Sequence, residues 1–483
     1  MQTAVIQRIL GLLLALFSIT LLPPLTISLW VQDGAEFAFS MALLITVCLG
    51  LALWLPVRNV RKELRMRDGF VIVVLFWAGL GLTGAIPLLL SDNPHMSMTD
   101  AVFESLSALT TTGATVITGI DALPLSILFY RQELQWLGGM GIIVLAVAIL
   151  PLLGVGGMQL YRAETPGPLK DSKLTPRITE TAKALWYIYL ALTISCASLY
   201  WVAGMTFFDA IAHSFSTVSI GGFSTHDLSI GYFNNKMIDL VAVVFMLISG
   251  INFTLHFLAW RNMNLKPYIF DTELKVYLSV LFSICLITCT YLILKNVYDD
   301  PVTAITHGIF QTISIATTTG YTTATYQSWP SFLPILLLFA SFIGACAGST
   351  GGGMKVIRIV LLFKQGMREI KRLVHPNAII HIKLGERPVQ DSIINAVWGF
   401  FASYVAIFAI LLLVLMATGL DQVTAFSAMA ACMNNLGPGL GDVSAHYGNI
   451  NNVAKWVLCF AMLLGRLEIF TLLVLLTPTF WRR

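Results

Sequence analysis

Charge is what this sequence has least of. Asp, Glu, Lys and Arg together make up 11% of its 483 residues against 57% hydrophobic, and mean hydropathy is +0.80. A soluble globule of this length would need more charge to cover its surface, so the composition marks an integral membrane protein. The seven cysteines, Cys48, Cys196, Cys285, Cys289, Cys346, Cys432 and Cys459, lie within or beside apolar segments. That excludes a disulfide framework, a zinc site or a redox pair and leaves small buried hydrophobes. The N-terminal apolar stretch lacks a small-residue cleavage site and reads as a retained helix rather than a signal peptide. No His/Asp/Glu cluster at metal spacing and no nucleophile elbow stands in a suitable frame, so no enzyme is expected. The net charge of +4 matters less for its sum than for its distribution, and no nucleic-acid partner is expected.

Glycine, by contrast, recurs in a pattern. Thr110-Thr111-Thr112-Gly113-Ala114-Thr115 is echoed by Ser219-Ile220-Gly221-Gly222-Phe223-Ser224, by Thr317-Thr318-Thr319-Gly320-Tyr321-Thr322 and by Asn434-Asn435-Leu436-Gly437-Pro438-Gly439. The lead glycines Gly113, Gly222, Gly320 and Gly437 stand 109, 98 and 117 residues apart. Thirteen residues before each comes a polar residue followed by a tiny one: Asp100-Ala101, Asp209-Ala210, His307-Gly308 and Thr424-Ala425. The polar residue is expected to cap a short helix that runs into an extended, glycine-punctuated segment.

Around each stretch the same module is expected: a spanning helix, the short helix with its glycine segment, and a second spanning helix. First spans are expected near 70–90, 183–204, 274–296 and 392–418, and second spans near 126–154, 236–260, 331–362 and 453–478. Two further spans, 7–30 and 37–57, precede them, giving ten crossings. The basic residues fall in step with that count. Arg58, Arg61, Lys62, Arg65 and Arg67, then Arg162, Lys170, Lys173 and Arg177, then Arg261, Lys266 and Lys275, then Lys364 to Arg387, and finally Arg482 and Arg483 all land on one side, the cytoplasmic one. The other side carries Asp33, Glu36, Asp92, Asp121, Asp227, Asp299 and Asp300. The domain plan is a prefix, 1–68, and four modules, 69–160, 161–262, 263–388 and 389–483. The expected fold is an all-α membrane protein in which four helix–pore-loop–helix modules, related by a pseudo-fourfold axis, surround one ion pore.

Non-helical backbone at membrane depth is tolerated only in protein or beside a watery cavity, so four such segments meeting on an axis make a pore. Glycine permits carbonyls to turn inward, and a ring of carbonyls replaces the water shell of a monovalent cation. No Asp or Glu lies within two residues of any lead glycine, which disfavours a divalent-ion site.

Together with Gly348-Ser349-Thr350-Gly351-Gly352-Gly353-Met354-Lys355 and the segment from Met158 to Pro168, these motifs resemble the Trk/Ktr/HKT superfamily of potassium transporters over essentially the whole chain. The resemblance implies a K+ filter with one glycine per module, carried by Thr111, Thr112 and Gly113, by Ile220, Gly221 and Gly222, by Thr318, Thr319 and Gly320, and by Asn435, Leu436 and Gly437. In plant relatives a serine at the first glycine accompanies sodium transport, so four glycines favour potassium. Only one glycine per module matches the Thr-Val-Gly-Tyr-Gly filter of potassium channels, which implies weaker selectivity and acceptance of rubidium. K+ is then a transported ligand and no organic cofactor is expected.

The glycine-rich break from Gly344 to Gly353 is, by residue type, a hinge, a cavity-lining segment or a close helix contact. The residues around Lys355 do not fit a Walker A loop. The resemblance makes Gly348, Ser349, Thr350, Gly351, Gly352, Gly353 and Lys355 a gating loop beneath the filter. Arg466 is a charge inside an apolar span, facing a cavity or a partner such as Glu468 or Glu104. The resemblance makes it part of the pore barrier. Glu104, His213, Gln311 and Ala428 share a position nine residues before the lead glycines and are expected to serve buried hydrogen bonds behind the filter. Also implied by resemblance are a homodimer with one pore per subunit, a cytosolic TrkA-type ring carrying nucleotide, a bacterial inner-membrane location, and both termini inside. The basic stretch Lys364–Arg387 is placed to transmit the ring's motion or to meet anionic lipid. The rival reading is a proton- or sodium-coupled symporter, which calls for inverted repeats and paired buried carboxylates.

Overall fold

The computed structural model describes residues 1–60, 65–141, 178–330, 332–385 and 387–482. Arg61, Lys62 and Glu63, the far end of the 126–154 span, the segment from Met158, the basic residues Arg162, Lys170, Lys173 and Arg177, and Arg483 lie outside the described residues. The regular elements among the described residues are helices apart from one two-residue hairpin pairing Lys383–Leu384 with Arg387–Pro388.

The prefix is a helical hairpin. Thr3–Phe17 continues through a 3-10 turn into Leu22–Val31, and Glu36–Trp54 runs back against it. Gly11 and Gly50 face each other so closely that a Cβ on Gly50 would lie 3.0 Å from the Gly11 carbonyl, the small-residue contact that membrane helices use in place of hydrophobic attraction. Four long helices then open four units: Met66–Gly84 with its short continuation Ile86–Leu90, Ile178–Val202, Thr272–Leu294 and Asp391–Ala417. With the prefix pair they are the six helices, among the described residues, long and apolar enough to cross a membrane. The protein is a multi-pass membrane protein.

The second helix of each unit departs from expectation. Unbroken spans were expected in the second and fourth units, yet Lys236–Ser249 turns by 90° into Phe253–Asn262, and Asn452–Arg466 turns by 116° into Phe470–Leu476. Asn252 caps the new helix of the first pair through Thr254 N, and the second break carries positive φ at Glu468 and Ile469. The expected third-unit span, 331–362, is a helix Phe332–Ile343, a loop, and an amphipathic helix Val356–Val374 that runs twelve residues beyond 362. Lys364, Arg368, Lys371 and Arg372 therefore ride on a helix rather than a loop. In the first unit the second helix runs from Leu125 to Gly139, with Met140 as its C-terminal cap. Packing against neighbouring units, which periodicity cannot see, places these breaks.

Between each pair lies a short helix: Met98–Leu109, Phe207–Val218, Pro301–Ala316 and Gln422–Met433. At 12 to 16 residues each spans about 18–24 Å, short of the roughly 30 Å hydrocarbon core. Their caps correct the sequence reading. Ser97, Thr206, Asp300 and Asp421 cap them, one turn or more ahead of Asp100, Asp209, His307 and Thr424. Ser97 and Thr206 also donate to Asp100 and Asp209, so those acids close the first turn as its third residue.

Candidate pore and its blocking loop

All four short helices end in one backbone motif. The residue two before the lead glycine is left-handed, with φ of 54° at Thr111, 56° at Ile220, 70° at Thr318 and 54° at Asn435. Its N–H reaches back three residues, and the next N–H, on Thr112, Gly221, Thr319 or Leu436, reaches back five, at 2.8 Å in every unit. This is the Schellman termination, normally built on glycine, here made four times by Thr, Ile, Thr and Asn. It aims each helix's carbonyl end at the same region, where the partial negative charge favours a cation.

The lead glycines follow at φ of 78°, 77°, 85° and 98° and close a ring. A Cβ added to Gly113 would overlap the carbonyl oxygen of Gly221, one added to Gly222 that of Thr319, and one added to Gly320 that of Leu436; one added to Gly437 would lie 2.7 Å from the carbonyl oxygen of Thr112. Each glycine thus abuts the carbonyl preceding the next glycine, in unit order one, two, three, four and back to one. Glycine is required twice over, for φ and for approach. The expected site residues Thr111, Thr112, Gly113, Ile220, Gly221, Gly222, Thr318, Thr319, Gly320, Asn435, Leu436 and Gly437 are all brought together here. On one side the ring opens into a cavity of about 490 Å3 bordered by all four lead glycines and by Thr115, Ser224 and Tyr447.

On the other side lies the Gly344–Lys355 loop. Thr350 Oγ1 donates to Val218 O at 2.9 Å, Gly352 N donates to Thr318 Oγ1 at 2.7 Å, and Gly353 N donates to Asn434 O at 3.0 Å. The loop therefore touches the terminations of units two, three and four. Gly348 O accepts from Phe253 N at the second-unit break, Ser349 Oγ turns back onto Cys346 O, and a Cβ on Gly351 would lie 2.9 Å from Thr317 O. Lys355 Nζ bonds Gly351 O across the loop. Arg466 reaches the remaining unit: Nη1 donates to Thr111 Oγ1 and to Thr350 O, both at 3.3 Å, and Nη2 to Gly138 O. Neither expected carboxylate takes it, because Glu468 pairs with Arg358 and Glu104 with Arg131 at 2.8 Å. Loop and arginine together thus contact the helix terminations of all four units.

The polar residues behind the ring match the expectation in three units. Glu104 accepts from Val116 N at 2.9 Å, His213 Nε2 stands 2.9 Å from Ser224 Oγ, and Gln311 donates to Ala324 O at 2.9 Å. In the fourth unit Ala428 has nothing to offer and its neighbour Ser427 braces Leu440 instead. Other residues escaped the sequence reading. Arg131, Gln132 and Gln135 on the first unit's second helix hold the second unit, with Gln135 Nε2 donating to Gly221 O at 2.6 Å. Their signal was present as a polar face within an apolar helix. Glu273 Oε1 accepts from Ala347 N and Ile357 N, the two flanks of the loop, at 2.7 and 3.1 Å. Lys455 joins Asp100 at 2.7 Å, locking unit four to unit one.

At the rim of the cavity beside the glycine ring, His226 Nδ1 lies 2.6 Å from Asp121 Oδ1 and its imidazole stacks on Tyr232. Burial pulls the imidazole pKa down, but Asp209 and Asp121 outweigh it and leave it above the ordinary value, while Asp121 is held below its own. A raised folded-state pKa means that the clasp stabilises fully below the ordinary histidine value and is lost as pH rises through the raised one. Wild type is accordingly expected to melt above His226→Gln at pH 5.5, by less than about 1 kcal/mol given solvent screening, with the gap closing by pH 9. A gap independent of pH in a thermal-shift series would sink this assignment.

Comparison with known proteins places the geometry in context. A profile of the TrkH family, described as cation transport protein, matches residues 35–482. The chain is 59% identical over 484 residues to the Trk system potassium uptake protein TrkH of Vibrio parahaemolyticus, covering 100% of both, and 56% identical over 482 residues to TrkH of Escherichia coli K12, again covering 100% of both. It is 42% identical to TrkG of E. coli K12, over 99% of this chain and 98% of that one. Its structure superposes on the crystal structure of the potassium transporter TrkH from V. parahaemolyticus with a TM-score of 0.91, at 57% identity and 100% coverage of both chains.

Proposed function

Since the chain belongs to the TrkH family of cation transport proteins, we propose that it takes up potassium through a channel-like pore whose selectivity filter is the ring of four glycines. The observation that carries this reading is the closed cyclic contact of Gly113, Gly222, Gly320 and Gly437 with one another's neighbouring carbonyls. A ring of backbone oxygens without carboxylates suits a dehydrated monovalent cation. In this reading Thr111, Thr112 and Gly113 and their counterparts in the other units hold K+. The loop Gly348–Lys355 gates the path with Arg466 as a positive barrier, and the four modules are 69–160, 161–262, 263–388 and 389–483 after the prefix 1–68. The protein sits in a bacterial inner membrane with both termini inside. It works as a homodimer and opens when a cytosolic TrkA-type ring acts on the basic helix Val356–Val374 that follows the loop.

The test is rubidium-86 uptake into liposomes holding the purified protein, with potassium or sodium as competitor. Uptake is expected to be blocked by potassium and resistant to sodium, without an imposed proton gradient. A strict requirement for that gradient would replace the pore by a coupled symporter.

A further inference from the structure

We propose that the buried Arg131–Glu104 ion pair sets the cation affinity and selectivity of the outer mouth; the inference rests on the pore reading above. The guanidinium and carboxylate meet at 2.8 Å with side chains 1% and 0% exposed. Glu104 holds the segment just after Gly113: Oε2 accepts from Val116 N at 2.9 Å, and Thr115 Oγ1 donates to Oε1 and Oε2 at 3.0 and 3.1 Å. Arg131 adds a bond from Nη2 to Thr115 Oγ1 at 3.2 Å. It then crosses to the next unit, where Nη1 donates to Ser224 O at 3.3 Å and the guanidinium lies 4.2 Å from the centre of the Phe223 ring. The pair therefore bolts together the two segments that follow adjacent glycines of the ring.

Its charge has a second consequence. Arg131 borders the 490 Å3 cavity that a cation crosses to reach the ring. A lone guanidinium there repels the cargo, and Glu104 in contact with it cancels that field. Among the described residues the other units brace the same place with groups that need no counter-charge: the Gln311 amide and the Ser427 hydroxyl, and the His213 ring bonded to Ser224 Oγ. At the position nine residues before the lead glycine the first unit alone places a charge pair, so its balance there is a variable the other three do not have; the second unit's charged contact is made elsewhere, by His226 with Asp121 and Asp209. Both are positioning residues, acting on the ring through Thr115, Val116, Phe223 and Ser224.

The test measures half-saturating rubidium and potassium-over-sodium discrimination for Glu104→Gln, Arg131→Gln, the double variant and Arg131→Lys in liposomes, with monodispersity and melting recorded for each. Glu104→Gln, which strands the guanidinium, is expected to raise half-saturation about tenfold or more. Both single variants should lose discrimination. The double variant, neutral at both positions, is expected to return half-saturation to within a few-fold of wild type. Arg131→Lys, the arm least disturbing to folding, keeps the charge but shortens the fork, so it should keep half-saturation and lose discrimination. Variants that lower only the maximal rate, or a double variant no better than Glu104→Gln, would overturn the proposal. Wild-type protein that takes up no rubidium would instead remove the pore reading on which it rests.

Discussion

Replacing Gly222 with alanine is expected to lower potassium-over-sodium discrimination at least tenfold while the protein still folds and inserts. The added methyl group would overlap the Thr319 carbonyl oxygen, backbone that cannot swing aside as a flexible side chain would. Gly222 also sits at φ 77°, a conformation that costs an L-residue about 1–2 kcal/mol. Overpacking adds about 1–3 kcal/mol more. Only about 1.4 kcal/mol of that total need appear as misplaced carbonyls to change ion preference tenfold. The ring is cyclic, so Gly113→Ser, Gly320→Ala and Gly437→Ala should do the same, Gly437 most mildly because its contact is the loosest at 2.7 Å. The measurement is rubidium-86 uptake in liposomes against graded potassium and sodium. Four variants with wild-type discrimination would show that the ring does not select. Loss in one alone would show that the units are not equivalent.

The second large effect concerns Arg466 and the loop it touches. Arg466→Ala is expected to raise uptake by the purified protein alone by about tenfold or more. The guanidinium touches Thr111 of the ring's first unit and Thr350 of the loop. A cation passing within about 5 Å of it would meet roughly 3 kcal/mol of repulsion at an effective dielectric of about 20, equivalent to about two orders of magnitude in rate. Removing it also frees one of the loop's anchors, while those to Val218, Thr318 and Asn434 remain, so the increase should fall short of that ceiling. Basal uptake unchanged from wild type would sink the barrier role proposed for Arg466.

These two sites differ in how far they could be read in advance. The lead glycines were legible because a repeat of about a hundred residues, with matched flanks, cannot be explained by composition. The break between Phe332–Ile343 and Val356–Val374 was legible because the glycines of Gly344–Gly353 interrupt an apolar run. The caps were misplaced by one turn because Asp100 and Asp209 fit either the cap or the third helical position, and only Ser97 and Thr206 as observed acceptors decide between them. The partners of Arg466 and Glu104 were not legible at all. Each buried charge had several opposite charges within plausible reach, and the choice of Arg131 for Glu104 and Arg358 for Glu468 depends on which helices cross, not on spacing.

By itself the sequence determined the solvent, the number of units and the chemistry of the ring, because apolar length, scarcity of charge and the repeated glycine are local properties that a membrane enforces segment by segment. Only the tertiary structure decided the order in which the units close, the breaks in the second helices, and the latches that hold them. Lys455 meets Asp100 and Asn435 meets Thr112 across more than three hundred residues of chain. In a low-dielectric interior a buried charge or amide is costly without a partner, and for these groups the partner is settled by the packing of distant helices rather than by their neighbours along the chain.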